Sequence, residues 1–195
     1  MLDTVILLSG GLDSTVLLAY AIAERREPLC VSFAYGATHG EAELASARAV
    51  AAHYGVPHQT SDISGVFASV AGASTLTGGD GPAYLPNRNA VFLSVAVAVA
   101  EVSGAGEVWF GAHGGDRRDF PDCRPEFVKA FDRVAQIGTT VGVRVRAPWV
   151  NDGKSAIVQR GIELNAPLHL THSCYRGTSP ACGLCSACGA RMRAF

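Results

Sequence analysis

The sequence predicts an α/β fold: a doubly wound, mainly parallel five-stranded sheet with a small cysteine-bearing C-terminal segment. Three observations predict it. Short apolar or β-branched runs alternate with stretches of helical character along the 195 residues. The first such run passes through a glycine turn directly into a helix. Four of the six cysteines fall within the last 22 residues.

Taken in order, Thr4–Leu8 is short, apolar and rich in β-branching, and reads as a buried strand. Residues 13–26 follow as a helix. Leu29–Phe33 reads as the second strand and Glu41–Tyr54 as an alanine-rich helix closed by Gly55. Val56–Asp62 reads as a third strand containing Pro57. Residues 65–86 are rich in Gly, Ser, Thr and Pro and read as a long loop, of the functional or the disordered type. Arg88–Ser103 reads as a buried helix, Glu107–Gly111 as a strand and residues 112–124 as a polar loop. Pro125–Ile137 reads as a helix with proline in its first turn. Val143–Ala147 reads as a fifth strand by alternation, and Gly153–Leu164 as a helix. The chain reads as one domain over residues 1–195, with a core over 1–168 and a metal-binding segment over 169–195. Ligands of such sheets bind beyond the carboxyl ends of the strands.

Composition narrows the function. Hydrophobic residues make up 48%, charged ones 17%, and the formal net charge is −1. A protein that grips a long nucleic acid by its phosphates would carry a basic excess, so small-molecule partners are expected and nucleic acid is not. No secretory signal is visible, and the apolar run Ala90–Val102 is too short to span a bilayer. A cytoplasmic protein without membrane contact is expected. In a reducing compartment the clustered cysteines read as a metal site and not as disulfides.

Leu8-Ser9-Gly10-Gly11-Leu12-Asp13-Ser14-Thr15 is the clearest chemical signal. A strand, a turn of small residues and a helix start make an anion site. The first helical N–H groups lack intrahelical partners, and the helix dipole is positive there. Gly10 and Gly11 let the backbone approach the anion. Ser9, Ser14 and Thr15 offer hydroxyl donors. The turn is neither a Walker A loop nor G-x-G-x-x-G.

Cys174, Cys182, Cys185 and Cys188 are spaced x7, x2 and x2. Four thiolates suit a closed, tetrahedral and therefore structural Zn²⁺. An iron–sulfur cluster takes the same ligands. Three further stretches carry polar chemistry. Pro86-Asn87-Arg88-Asn89 puts an arginine at a helix entrance, where it can clamp a phosphate or carboxylate; asparagine at 87 tolerates positive φ. Asp116, Asp119 and Asp122 lie in the loop after the fourth strand, where carboxylates can read a purine-like edge or hold Mg²⁺. Asp152 can cap the last core helix, while Lys154 opposes that helix's dipole and so points to another role beside the phosphates. Taken alone, the first two of these also fit a solvated surface.

The run Ser9-Gly10-Gly11-Leu12-Asp13-Ser14 resembles the pyrophosphate loop of the ATP pyrophosphatases. Five segments, taken together, resemble the 7-cyano-7-deazaguanine synthase family. They are that run, Phe33-Ala34-Tyr35-Gly36, Pro86-Asn87-Arg88-Asn89, Phe120-Pro121-Asp122-Cys123-Arg124 with Glu126-Phe127, and the four cysteines with Tyr175. The family usually reads Tyr-Gly-Gln-Arg-His where this chain has Tyr35-Gly36-Ala37-Thr38-His39, and glycine where it has Asn87. The resemblance implies a pyrophosphate-loop fold and an ATP-dependent C–N ligase that converts 7-carboxy-7-deazaguanine and ammonia to the 7-cyano base, for queuosine-type biosynthesis. It implies ATP and Mg²⁺ with structural Zn²⁺, and a homodimer. Residues 8–15 would hold the pyrophosphate. Ser9, Asp13, Arg88 and Lys154 would carry the reaction. Tyr35, Arg88, Asn89, Asp116 and Asp122 would bind the acceptor. The departures keep two related readings open: an enzyme that stops at the amide, and one that transfers to another amine. A tRNA thiolase using Cys30 or Cys123, and a non-catalytic nucleotide sensor, are the further alternatives.

Overall fold

A computed structural model of the chain describes residues 1–195 except 71, 73 and 79–82. Its elements are β1 (Thr4–Leu7), α1 (Leu12–Ala23), β2 (Pro28–Ala34), α2 (Gly40–Tyr54), β3 (His58–Asp62), α3 (Ser64–Phe67), α4 (Arg88–Ser103), β4 (Glu107–Trp109), α5 (Pro125–Gly138), β5 (Arg144–Arg146), α6 (Lys154–Glu163) and α7 (Ser186–Ala194). The strands form one sheet in the order β3-β2-β1-β4-β5, and every neighbouring pair is parallel. Val5 lies opposite both Leu29 and Val108.

The period-two alternation of β1 builds a core on each face. Val5 and Leu7 pack with Leu93, Ala96 and Val97 of α4 and with Ala135 of α5. Ile6 and Leu8 pack on the other face with Leu12, Val16 and Leu17 of α1, Val50 of α2 and Ile157 of α6. Both faces are covered, so β1 reads as an unbroken apolar run, as buried parallel strands do.

The order reverses between β1 and β4. The chain winds from β1 through β2 to β3 on one side, then returns to β4 and β5 on the other. The loops leaving β1 and β4 therefore diverge and leave a crevice at their carboxyl ends.

Several expected boundaries shift. The third strand begins at His58, because Pro57 has no N–H to give; its carbonyl still accepts from Cys30 N at 2.9 Å. Within the expected loop 65–86, the described residues include the end of α3 and a 3-10 turn at Thr75–Thr77, while 71, 73 and 79–82 lie outside the description. The polar loop after β4 contains two 3-10 turns, Gly114–Asp116 and Pro121–Cys123. Asp152 does not cap α6. Gly153 is the cap, and no side chain caps this terminus. The cysteine segment ends in α7, which the metal-ligand spacing had masked.

Candidate functional site

The loop after β1 turns on Gly10, at φ +79°. A Cβ there would lie 2.3 Å from the Glu43 carbonyl oxygen and 2.7 Å from Ala47 N. Only glycine lets this loop press on the first turns of α2. The serines then stitch the loop to itself. Ser9 Oγ lies 3.0 Å from Ser14 Oγ, Ser14 Oγ donates to Gly11 O at 3.2 Å, and Gly11 N donates to Ser9 Oγ at 3.2 Å. Those hydroxyls therefore shape the turn. No side chain caps α1, whose first N–H groups are left to face an anion.

Thr15 is a correction. It is fully buried, its Oγ1 has no hydrogen-bond partner among the described residues, and it lies outside the cleft. One position further along a 3.6-residue helix than Ser14, it turns into the core. Gly10 likewise faces α2 and not the cleft. Leu8, Ser9, Gly11, Leu12, Asp13 and Ser14 do line the cleft, which encloses about 260 Å³.

Asp13, in the first turn of α1, accepts from Lys154 Nζ through Oδ2 at 2.5 Å. Its Oδ1 is buried and has no hydrogen-bond partner among the described residues. A buried, unpaired carboxylate oxygen beside a helix N-terminus fits a hard divalent cation that shares its remaining ligands with phosphate. His113 Nε2 lies 3.3 Å from Asp116 Oδ1 and 3.9 Å from Asp13 Oδ2. His113 Nδ1 accepts from Gly115 N at 3.0 Å, so the proton of the neutral ring sits on Nε2. Burial pushes the Asp116 carboxyl up, against the opposing pull of His113 and Lys154.

Across the cleft, Arg88 opens α4. Asn87 before it adopts φ +56°, in the left-handed region that its side chain tolerates. The guanidinium donates to Tyr35 Oη at 3.1 Å and lies over the rings of Tyr35 and Phe92. Burial alone would lower its pKa, yet Tyr35, Glu43, Tyr175 and Asp122 raise it above the ordinary arginine value. Burial pushes the Tyr35 hydroxyl up to about 12. Arg88 is thus a fixed cation at neutral pH.

Asp122 is the second correction. It is 5% exposed and does not line the cleft. Its Oδ2 accepts from Asn89 N at 2.8 Å, and its carbonyl accepts from Asn89 Nδ2 at 3.3 Å. The carboxylate caps α4 from a distant loop, an N-terminal role no local motif reveals. Asn89 lines the cleft but spends its side chain on Asp122 and Cys123. Asp119 points away, half of an exposed pair with Arg118.

His39, Glu43, Phe92, His172 and Tyr175 also line the cleft, and sequence reasoning missed them. The available signals were Tyr175 beside Cys174 and His39, which closes the Tyr35-Gly36-Ala37-Thr38-His39 run. The tail closes the site: His172 N donates to Gly10 O at 2.9 Å. Arg191 of α7 holds that tail by donating to Thr171 Oγ1 at 2.6 Å and Leu168 O at 3.0 Å. The four cysteine sulfurs of the tail lie within 4.8 Å of one another. Cys174 Sγ accepts from Cys182 N, Cys182 Sγ from Leu184 N and Cys185 Sγ from Cys188 N. A closed set of four sulfurs fits one metal ion.

A family profile described as Queuosine biosynthesis protein QueC matches residues 3–195. A protein of Chlorobium phaeovibrioides named 7-cyano-7-deazaguanine synthase is 39% identical over 209 aligned residues, spanning 100% of this chain and 92% of its own length. One of the same name from Acetivibrio thermocellus is 40% identical over 100% of this chain and 93% of its own. Among solved structures, the U34-tRNA thiolase NcsA from Methanococcus maripaludis, with its [4Fe-4S] cluster, superposes with a TM-score of 0.60. It shares 12% identity, over 99% of this chain and 64% of that one, a likeness of fold.

Proposed function

The chain belongs to the QueC family of queuosine biosynthesis proteins, and from that premise we propose that it makes 7-cyano-7-deazaguanine from 7-carboxy-7-deazaguanine and ammonia at the expense of ATP. The observation that carries this reading is the switch-point cleft, where an uncapped helix N-terminus faces Lys154 and Arg88.

A carboxylate is a poor electrophile and its oxygen a poor leaving group. In the proposed first half, the acceptor carboxylate attacks the α-phosphorus of ATP and pyrophosphate leaves. Ammonia then displaces AMP from the acyl adenylate to give an amide. In the second half the amide oxygen attacks the α-phosphorus of a second ATP, a second pyrophosphate leaves, and loss of AMP and two protons from the adenylated amide leaves the nitrile. The protein's part is positioning and charge stabilisation. The α1 N-terminus and the backbone of residues 8–14 hold the leaving pyrophosphate. Lys154 neutralises it, and Asp13 keeps Lys154 aimed. Arg88 meets the acceptor's carboxylate or the α-phosphate. Mg²⁺, held by Asp13 Oδ1, would offset charge on the phosphates. Tyr35 and Phe92, with Arg88 over their rings, wall the space for the base.

We assign the tail metal as structural Zn²⁺. Zinc–sulfur bonds of about 2.3 Å require sulfur–sulfur edges of about 3.8 Å. The 4.8 Å spread supports that better than a larger cluster, which would hold its ligands further apart. Sulfur transfer needs a reactive thiolate. Burial pushes both Cys30 and Cys123 up to about 12, which speaks against the thiolase alternative. A net charge of −1 favours small-molecule partners over nucleic acid. No helix among the described residues is long and apolar enough to cross a membrane. A cytoplasmic homodimer is our reading of the whole.

The test is a product analysis with 7-carboxy-7-deazaguanine, ATP, Mg²⁺ and an ammonium salt. Nitrile with AMP and pyrophosphate is expected. Amide that accumulates unchanged would restrict the activity to the first half. No acid-dependent ATP turnover would overturn the reading.

A further inference from the structure

One carboxylate in the cleft has no role in this scheme. Glu43 lines the cleft from α2. Its side chain is 21% exposed, and no lysine or arginine lies within ion-pair distance among the described residues. Its one ion-pair contact among the described residues is with His39, whose Nε2 lies 3.5 Å from Glu43 Oε1 one helical turn earlier, while Arg88 acts on it from beyond contact distance. His39 is 2% exposed and sits against the Tyr175 ring at 5.2 Å. A carboxylate in a partly desolvated cleft with no lysine or arginine in direct contact keeps acceptor capacity that donors from a ligand can satisfy.

The surroundings restrict what that ligand is. Tyr35, Phe92 and Tyr175 line the same space, the first two with Arg88 over their rings. Arg88 sits on the Tyr35 side and, among the described residues, supplies the fixed cation there. A heteroaromatic ring with an anionic substituent at one edge and two adjacent N–H donors at the other is complementary to this arrangement. A 2-aminopyrimidin-4-one edge has those donors, its ring N–H and its exocyclic amine. A carboxylate accepts both in parallel. Asp122 is spent on α4, and Asp116 is tied to His113 beside the phosphate loop. Glu43 is the remaining carboxylate on the aromatic side of the cleft.

We propose that Glu43 is the specificity-determining residue for the base, accepting from its 2-amino-4-oxo edge, and that His39 is a positioning residue that orients Glu43. This rests on the acceptor being a 7-deazaguanine. The geometry also couples base to phosphate. The Glu43 carbonyl is the atom that Gly10 packs against, so the helix turn that reads the base buttresses the pyrophosphate loop.

The experiment compares 7-carboxy-7-deazaguanine with its analogue lacking the 2-amino group, in the wild type and in Glu43→Gln. Wild type should discriminate against the analogue by tenfold or more in kcat/KM, as sites built for a hydrogen-bond donor do. Glu43→Gln should raise KM for the acid at least tenfold, leave KM for ATP within twofold, and lose the discrimination. His39→Ala should show a weaker form of the same pattern, and His39→Gln should restore part of it. Discrimination that persists in Glu43→Gln would overturn the proposal, as would a rise in KM for ATP alone. Failure of the wild type to turn over the acid would strike the functional reading instead, and binding of the two bases measured without ATP would still test Glu43. Glu43→Asp, which keeps the charge, separates a folding defect from lost recognition. It should retain discrimination with a higher KM.

Discussion

At the scale of single residues, the site depends on groups whose partners lie far along the chain. Asp13 is the clearest. One oxygen holds Lys154, 141 positions away, and the other is buried and unpaired. A structural ion pair at this exposure contributes at most about 1 kcal/mol. A group that positions a cation for charge developing on a leaving phosphate can be worth 10²-fold or more in rate. Asp13→Ala is therefore expected to cut acid-dependent pyrophosphate release by about 10²-fold while shifting the unfolding free energy by no more than about 1 kcal/mol. Normal turnover in that variant would remove Asp13 and the loop from the chemistry. Residue type alone was a good guide where the backbone needs it, at Gly10 and Asn87. It misled at Thr15, whose hydroxyl suits an anion loop but whose position on α1 turns inward.

At the scale of elements, one helix end is finished by a side chain from elsewhere. The carboxylate of Asp122 caps α4 from the loop after β4. Asp122→Ala should therefore cost about 1–2 kcal/mol in denaturant unfolding, the usual loss for an N-terminal cap. Unchanged stability with a higher KM for the acid would return Asp122 to the acceptor pocket. The junction of α5 and β5 offers a second test. Asp132 of α5 accepts from the Arg144 guanidinium and from Val145 N. Burial pushes its carboxyl up, but these donors prevail and hold it below 3.8. A depressed folded-state pKa contributes stability that is present above the unfolded value and lost as pH falls through the folded one. Asp132→Asn is expected to lower stability by about 1 kcal/mol at neutral pH, given its partial exposure. Urea midpoints of variant and wild type should converge below pH 3.8. A gap of constant size at all pH values would refute the assignment.

At the scale of the molecule, the metal segment is wired to the phosphate loop. The cysteines fold the tail, Arg191 of α7 clamps residues 168–173, and His172 N donates to the Gly10 carbonyl. Cys185→Ser should lose the bound metal, measured by elemental analysis, lose solubility, and raise KM for ATP in whatever protein stays soluble. A soluble, metal-free variant with full activity would sever this connection.

The sequence by itself determined the sheet, the alternation of its elements, the phosphate turn and the cysteine cluster. Each of those is written in residues close together in the chain, where periodicity, glycine conformation and ligand spacing act locally. Tertiary structure alone decided that Lys154 meets Asp13, that Asp122 serves α4 and not the cleft, and that His39 and Glu43 face the aromatic side of the cleft. The reason is physical. Strand order and helix rotation set which distant side chains share one cavity, and both follow from packing on the two faces of the sheet, which no single stretch of sequence contains.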